Sequence, residues 1–189
     1  MFELLLPVDL FFLKIADGLR LSCGVVFTPI FKAITLSGNA GLVFIIAAAI
    51  MLFFKKTRKT GFSALLALVF GFLFTNIILK NVVARQRPFS DTTSDYFCLA
   101  WKAAGSLVES GYSFPSGHTT AATAFGVSLF LSFNKRFSWA FLFIPLVMGF
   151  TRIYFVVHYA SDILSGLIVG GIAATISYFV IRTIYKKLN

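Results

Sequence analysis

The chain has 189 residues, of which 58% are hydrophobic and only 13% are charged. Soluble globular domains carry about 25% charged residues, so this composition excludes an ordinary soluble globule, and a chain this apolar is not disordered. Seventeen Lys and Arg against seven Asp and Glu give a formal net charge of +10. In so hydrophobic a chain, this excess indicates basic residues at the cytoplasmic boundary of a membrane better than it indicates a nucleic-acid surface.

Five apolar runs predict an all-α fold, a polytopic bundle of transmembrane helices. A helix needs about 20 residues to cross about 30 Å of hydrocarbon, so neighbouring polar residues are expected to extend the shorter runs. The predicted spans are 40–54, 61–79, 119–133, 137–151 and 163–181. The whole chain, 1–189, is interpreted as a single integral-membrane domain.

Charged residues interrupt the apolar pattern of the segment 1–36. Apolar side chains recur at helical spacing at Leu10, Leu13, Ala16 and Leu19, which predicts an amphipathic helix near the membrane interface. The segment 21–36 either crosses the membrane as a sixth helix or enters it only partway.

Basic clusters predict the orientation of the bundle. Lys and Arg are enriched on the cytoplasmic side of membrane proteins. If each run crosses once, the clusters at 55–59, 135–136 and 182–187 share that side, and the C-terminus is cytoplasmic. The segments that hold the two histidines then face the extracytoplasmic side.

Both histidines fall at predicted helix ends, close to several cations and one acid. Ionisable groups at membrane depth are costly and usually mark a function. Cations that converge without matching carboxylates favour an anion with several negative charges, and Arg matches phosphate through its fork of donors. The groups concerned are His118, His158, Lys80, Arg85, Arg87, Arg152 and Asp162.

The segment Pro115-Ser116-Gly117-His118 directly precedes the third apolar run. Backbone N–H groups at such a helix start point at an anion, and Gly117 lets the chain approach it closely. Ser116 is expected to donate a hydrogen bond to the anion, to cap the helix, or to do both.

His158 and Asp162 are four residues apart, so on a helix they would stand on one face. The carboxylate can then hold one imidazole N–H while the other nitrogen attacks phosphorus. His118 is left for proton transfer to the leaving oxygen. A zinc or iron site built from the same residues is the alternative, disfavoured because the surrounding cations would repel a divalent ion.

These residues resemble the signature of the type 2 phosphatidic acid phosphatase superfamily, which includes bacterial acid phosphatases and vanadium haloperoxidases. Its first motif, a Lys followed after six residues by Arg-Pro, is matched by Lys80 and Arg87-Pro88. Its second motif, Pro-Ser-Gly-His, stands unaltered at 115–118.

The third motif of that family is Ser-Arg, then five residues, His, three residues and Asp. Arg152, His158 and Asp162 match it, with Thr151 where Ser is usual. Because Thr keeps a hydroxyl, the departure is small. The resemblance extends over 80–162.

The resemblance implies metal-independent cleavage of a phosphomonoester or diphosphate through a phosphohistidine, without a cofactor. By that analogy His158 is the nucleophile, Asp162 is its partner, and His118 is first the acid and then the base. Arg85 lies outside the family pattern and is given only a supporting role. The residues that would bind phosphate oxygens are Lys80, Arg87, Ser116, Gly117 and Arg152.

The expected partners are a lipid phosphate and the bilayer of a bacterial cytoplasmic membrane, and not nucleic acid. A polyprenyl (undecaprenyl) diphosphate is slightly favoured over phosphatidylglycerophosphate, phosphatidic acid and a lipid A phosphate. A lipid phosphotransferase, a vanadate haloperoxidase and a non-enzymatic anionic-lipid transporter are alternatives. Aromatic side chains of the segment 89–114 are expected to lie at the interface and shape the lipid entrance, namely Tyr96, Phe97, Trp101 and Tyr112.

Overall fold

The computed structural model describes residues 2–90 and 95–188, and these residues form helices without a β-strand. A π-helical segment, Leu73–Leu79, joins α3 to α4. The helices are α1 Leu6–Ser37, α2 Leu42–Leu52, α3 Arg58–Phe72, α4 Lys80–Val83, α5 Asp95–Ala103, α6 Gly117–Ser132, α7 Lys135–Ser138, α8 Phe143–Tyr154 and α9 Ala160–Leu188.

Three helical stretches of the described chain are long and apolar enough to cross a membrane: Arg58–Ser90, Lys135–Tyr154 and Ala160–Leu188. A fourth span is present if Phe2–Ser37 and Asn39–Leu52, which are bent by 51°, count as one broken span. The predicted all-helical membrane bundle is confirmed, whereas its predicted count of five or six spans is not. The predicted third run forms α6, whose 16 residues are fewer than a span requires.

Helix α6 lies at the centre and packs against α3, α8 and α9. Two glycines of α9 permit its close approach to α6, as small residues do between membrane helices. A Cβ added to Gly166 would lie 2.9 Å from the carbonyl oxygen of Ser116, and one added to Gly170 would lie 2.5 Å from that of Thr120. This contact holds the start of α6 beside the start of α9.

Helix α1 packs along α8, and its one non-helical residue in the interior is Cys23. Leu13 and Ala16, two of the residues that predicted an interfacial helix, are buried in a core cluster with Val157. Arg20 Nη2 donates to the Tyr154 carbonyl oxygen at 2.6 Å. The amphipathic pattern therefore reflects packing against α8 and the residues that follow it.

The aromatic residues of the segment 89–114 were expected at the membrane interface, and this prediction is wrong for Phe97. Phe97 is buried in the core cluster, and Trp101 stacks on Phe89 with ring centroids 5.0 Å apart. Tyr96 and Tyr112 stay exposed at the surface. Part of the segment, 91–94, lies outside the described residues.

Candidate active site

A cavity of about 490 Å³ lies between α2, α3, α6 and the segment that precedes α6. Its size falls within the range typical of ligand pockets, about 300–1,000 Å³. One part is apolar, with Ile45, Leu65 and Phe72 in its wall. The polar part is lined by Asn76, Lys80, Arg87, Glu109, His118 and His158.

Five of the predicted site residues meet in this cavity: Lys80, Arg87, Gly117, His118 and His158. They come from four separate parts of the chain, so the fold brings the three motifs together. The other three predicted residues, which are fully buried and do not line the cavity, are Ser116, Arg152 and Asp162.

His158 lies in the turn between α8 and α9, not on one helix face with Asp162 as predicted, because α9 begins only at Ala160. Its Nδ1 is 3.4 Å from Asp162 Oδ2, and its Nε2 is 3.3 Å from Arg87 Nη1. Burial and the guanidinium of Arg87 hold the pKa of His158 well below its ordinary value. The ring is therefore neutral.

The Asp162 carboxylate accepts hydrogen bonds from three further groups. Ser113 Oγ donates to Oδ2 at 2.5 Å, the Tyr159 N–H donates to Oδ2 at 2.9 Å, and Arg85 Nη1 donates to Oδ1 at 2.7 Å. Ser113 Oγ also lies 3.4 Å from His158 Nδ1. The carboxylate that faces the imidazole is thus fixed from several sides.

Arg85 links Asp162 to a second buried carboxylate, Asp9 of α1. Arg85 Nη2 is 2.9 Å from Asp9 Oδ2, and the Ser161 N–H donates to Asp9 Oδ1 at 2.8 Å. Sequence reasoning missed Asp9. The available signal was a carboxylate inside an apolar segment, since such groups are rarely buried without a partner.

Arg87 is held by three backbone carbonyl groups. Its Nε donates to Gly111 O at 2.9 Å, its Nη2 to Ser110 O at 2.8 Å, and its Nη1 to Val157 O at 2.9 Å. These bonds tie the segment before α6 to the turn that contains His158. Arg87 therefore has a fixed position at the polar end of the cavity.

Arg152 pairs with Glu109, an acid that sequence reasoning missed. Arg152 Nη2 donates to Glu109 Oε1 at 2.5 Å, and Nη1 donates to Thr35 Oγ1. Burial alone would raise the pKa of Glu109, but the Arg152 guanidinium, together with His118 and Arg87, holds that pKa below its ordinary value. Glu109 is thus an ionised carboxylate in the cavity wall, a place where the motifs predicted only cations.

Ser116 caps α6, which was one of the two roles expected of it. Its Oγ accepts from the Thr119 N–H at 3.4 Å and from the Thr119 hydroxyl at 3.0 Å. The side chain is fully buried. The hydrogen bond from Ser116 to a phosphate, which was also expected, stays a prediction.

His118 follows directly in the first turn of α6. Its Nε2 lies 3.0 Å from Asn39 Oδ1, a partner that the sequence did not indicate. A Cβ added to Gly117 would lie 3.2 Å from Asn76 Oδ1, so the missing side chain leaves room at the cavity wall. Within the described residues, no cluster of three or more His, Cys, Asp and Glu side chains suits a metal ion.

Comparison with known proteins identifies relatives that share this region. An undecaprenyl-diphosphatase of Sulfolobus acidocaldarius is 30% identical over 132 residues, which are 68% of this chain and 58% of that protein. A lipid A 1-phosphatase of Rhizobium etli is 33% identical over 155 residues, 72% of this chain and 64% of that protein. The chain thus spans about three fifths of the length of these relatives.

The fold is similar to the crystal structure of a transmembrane PAP2-type phosphatidylglycerolphosphate phosphatase from Bacillus subtilis. The TM-score is 0.67 at 24% identity, over 97% of this chain and 88% of the other. The helices and this likeness show an integral membrane protein. The family model of the PAP2 superfamily matches residues 60–186, which include all three motifs, and the chain therefore belongs to the PAP2 superfamily.

Proposed function

We propose that this chain is a membrane lipid phosphatase that hydrolyses a phosphomonoester or diphosphate headgroup through a phosphohistidine, without metal or cofactor. One observation supports this most directly: the neutral ring of His158 reaches the cationic end of a cavity whose other part is apolar. Such a cavity suits a charged headgroup joined to a hydrocarbon tail. Relatives named for the hydrolysis of lipid phosphates support the same class of reaction.

Binding of the headgroup falls to Lys80, Arg87 and the backbone at Gly117, which all line the polar end. Fixed cations in a partly dry site neutralise charge on the equatorial phosphate oxygens, which phosphoryl transfer mainly requires. Direct contact of phosphate with Arg152 and Ser116 remains a prediction. It is supported for Arg152 by its Nε, which is buried without a hydrogen-bond partner in the described residues.

In the first step, His158 Nε2 attacks phosphorus while its Nδ1–H stays directed at Asp162. The N–P bond forms and the bond from phosphorus to the lipid oxygen breaks. Burial lowers the pKa of His118 to about 3 in the unliganded protein, so the negative charge of the bound phosphate has to raise that pKa for His118 to enter this step as an imidazolium. It gives its Nε2 proton to the leaving oxygen, which takes the place of the Asn39 amide oxygen.

In the second step, the now neutral His118 removes a proton from water, and the water oxygen attacks phosphorus. The N–P bond breaks, inorganic phosphate leaves, and the bonding electrons return to His158 Nε2. His118 is again an imidazolium, so both histidines regain their starting states. Asp162 favours each step because it stabilises positive charge on the His158 ring.

The test is phosphate release from a lipid diphosphate by the purified protein in detergent. His158→Ala is expected to reduce kcat by at least about 1,000-fold, because the proposed N–P bond can then no longer form at this ring. Lys80→Gln is expected to raise KM or lower kcat at least about 10-fold, because it removes a cation that binds the phosphate. The matched control is Lys102→Gln, which removes an exposed lysine outside the cavity and should leave KM and kcat unchanged. Undiminished release by folded His158→Ala would refute the assignment of the nucleophile.

Among substrates, we favour a polyprenyl diphosphate. The four candidate lipids should be assayed side by side, with kcat/KM largest for the diphosphate. If kcat/KM is larger for phosphatidylglycerophosphate, phosphatidic acid or lipid A phosphate, that lipid is the preferred substrate instead. Transfer of labelled phosphoryl groups to an added alcohol, instead of to water, would indicate a phosphotransferase.

A further inference from the structure

A second cavity, of about 750 Å³, lies between the beginning of α3 and the end of α9. Four cations and two tyrosines take part in its lining: Lys56, Lys59, Arg182, Lys186, Tyr178 and Tyr185. Among the residues that the structure describes, the lining includes no Asp, Glu or His. The mechanism proposed above gives this cavity no role.

The second cavity and the polar end of the first cavity lie at opposite ends of α3 and its continuation, although the apolar wall of the first cavity extends along α3 as far as Leu65. Ser63 lines the second cavity and Lys80 lies at the polar end of the first, and about 17 residues of helix at 1.5 Å per residue separate Ser63 from Lys80 by about 25 Å. That distance is close to the thickness of the hydrocarbon core, about 30 Å. A phosphate bound in the second cavity is therefore not the headgroup bound at His158.

The charge of the second cavity is unbalanced. Like charges held in one concavity repel one another, and a bound anion removes that repulsion. Lys59 Nζ lies 4.9 Å from the centre of the Tyr185 ring, which orients this lysine without neutralising it. The charges of the lining therefore favour an anionic ligand.

A buried hydroxyl gives an independent indication of a ligand. Ser63 is 1% exposed and lines the cavity, and its Oγ is without a hydrogen-bond partner in the described part of the chain. Buried polar groups in folded proteins are nearly always hydrogen-bonded, so an unpaired hydroxyl in a cavity wall indicates an acceptor that comes from a ligand. An anionic oxygen would both balance the positive charge of the lining and accept a hydrogen bond from the Ser63 hydroxyl.

We propose that this cavity binds the phosphate group of an anionic membrane lipid in the leaflet opposite the active site. Lys and Arg hold phosphate oxygens as charge-assisted donors, and basic clusters at a membrane boundary attract anionic lipids. Exposed apolar side chains beside the cavity, Phe179 and Ile184 of α9, offer a surface for the acyl chains. Because no histidine of the described chain lines this cavity, the phosphate is held and not cleaved.

The experiment compares two double variants that each remove two positive charges from the same end of the protein. Lys59→Gln with Arg182→Gln alters the cavity. Lys55→Gln with Lys187→Gln is the matched control, because both of these lysines are exposed and neither lines the cavity. Ser63→Ala tests the hydroxyl alone, and none of these positions belongs to the proposed active site.

Binding of dioctanoylphosphatidylglycerol to each purified variant is measured in neutral detergent by native mass spectrometry, with dioctanoylphosphatidylcholine and inorganic phosphate as the other two ligands. We expect phosphatidylglycerol to bind the wild type and the control variant with the same Kd. The Kd should rise at least 10-fold in the cavity variant and at least threefold in Ser63→Ala. Phosphatidylcholine should bind at least 10-fold more weakly than phosphatidylglycerol.

Three results would overturn the proposal. Equal loss of binding in the control and cavity variants would mean that the lipid responds only to diffuse surface charge. Inorganic phosphate that binds the cavity as tightly as the lipid would make the ligand a free anion. Unchanged binding in the cavity variant would place the lipid elsewhere on the protein.

Discussion

His158 stands between cations that face the cavity and carboxylates that lie behind it. Arg87 lies at its Nε2, while Asp162 lies at its Nδ1 and is itself bound by Arg85. Asp9 in turn accepts hydrogen bonds from the Arg85 guanidinium and from the Ser161 N–H. The orientation of the ring is thus linked, through Arg85 and Asp162, to a residue of α1 that does not line the cavity.

This chain of contacts makes Asp9 a positioning residue. Asp9→Asn keeps the shape of the side chain but removes the charge that Arg85 pairs with, so Arg85 and Asp162 should lose their fixed alignment. We expect kcat to fall about 10-fold with KM unchanged, because a lost ion pair of about 1.4 kcal/mol corresponds to a factor of ten. The measurement is steady-state phosphate release.

The control for Asp9→Asn is Glu3→Gln, which removes an exposed acid from the same end of the chain. Glu3→Gln should leave kcat and KM unchanged. An increase in KM without a change in kcat would contradict the positioning role, because it would place Asp9 in substrate binding.

The neutral state of His158 has a consequence for pH. An unperturbed histidine has a pKa of about 6.5, and burial together with Arg87 lowers the pKa of His158. The ring should therefore stay neutral at pH 6.5 and take up a proton only at lower pH. Its contribution to stability is complete above about pH 6.5 and decreases as the pH falls towards the lowered pKa, because the unfolded chain then binds the proton more readily.

Nitrogen-15 NMR of the ring can test this in the His118→Asn variant, where His158 is the only histidine left. Between pH 6.5 and 5.5 the ring shifts of the unliganded protein should remain those of a neutral imidazole. The same variant unfolded in denaturant supplies the reference titration. A folded-state midpoint at or above the unfolded one would show that the environment does not disfavour the charged ring.

The motifs indicated residues of which five line one cavity, because each motif lies at or near the end of a helix. It did not indicate Asp9, Glu109 or Asn39, since their roles come from contacts between distant segments. Asp9 meets Ser161 across 152 positions of sequence. No local periodicity encodes such a contact. Periodicity also does not show what covers the apolar face of α1, which was predicted to lie at the membrane interface and packs against other residues of the protein.

At the scale of elements, the active site depends on how closely α6 and α9 approach. The first turn of α6 holds Gly117 and His118, while α9 begins just after His158. The Ser116 N–H also donates to the Asp162 carbonyl oxygen at 3.2 Å. Any separation of the two helices would therefore move His118 away from His158.

Two neighbouring glycines of α9 test this packing. Gly170→Ala would place a Cβ 2.5 Å from the Thr120 carbonyl oxygen, whereas a Cβ at Gly171 meets no atom within 4 Å. We expect Gly170→Ala to destabilise the protein by about 1–3 kcal/mol. Gly171→Ala should be neutral or stabilise it by up to about 1 kcal/mol, because alanine has the higher helix propensity.

Thermal unfolding of both alanine variants in the same detergent provides the comparison. Phosphate release should decline in Gly170→Ala, and it should not change in Gly171→Ala. Equal stability of the two variants would mean that α6 and α9 can shift apart at little cost.

Across the whole molecule, the two cavities separate two kinds of positive charge. The cations near His158 are fixed by carbonyl groups and carboxylates, as Arg87 and Arg85 show. The cations near the C-terminal end of α9 are exposed. Exposed cations such as those near the end of α9 are typical of residues that determine topology, because the positive-inside tendency concerns basic residues in loops and at span ends.

This distinction predicts that the end with Lys187 is cytoplasmic and that the end with Tyr112, close to His158, is extracytoplasmic. The two native cysteines, Cys23 and Cys98, are first replaced by Ser, and then Tyr112→Cys or Lys187→Cys is introduced at an exposed position. A membrane-impermeant maleimide should label Tyr112→Cys in intact cells. It should label Lys187→Cys only after the membrane is permeabilised, because the reagent cannot otherwise reach the cytoplasm. Labelling in the reverse pattern would place the active site in the cytoplasm and would show that the charges fixed around His158, not those at the end of α9, determine the orientation.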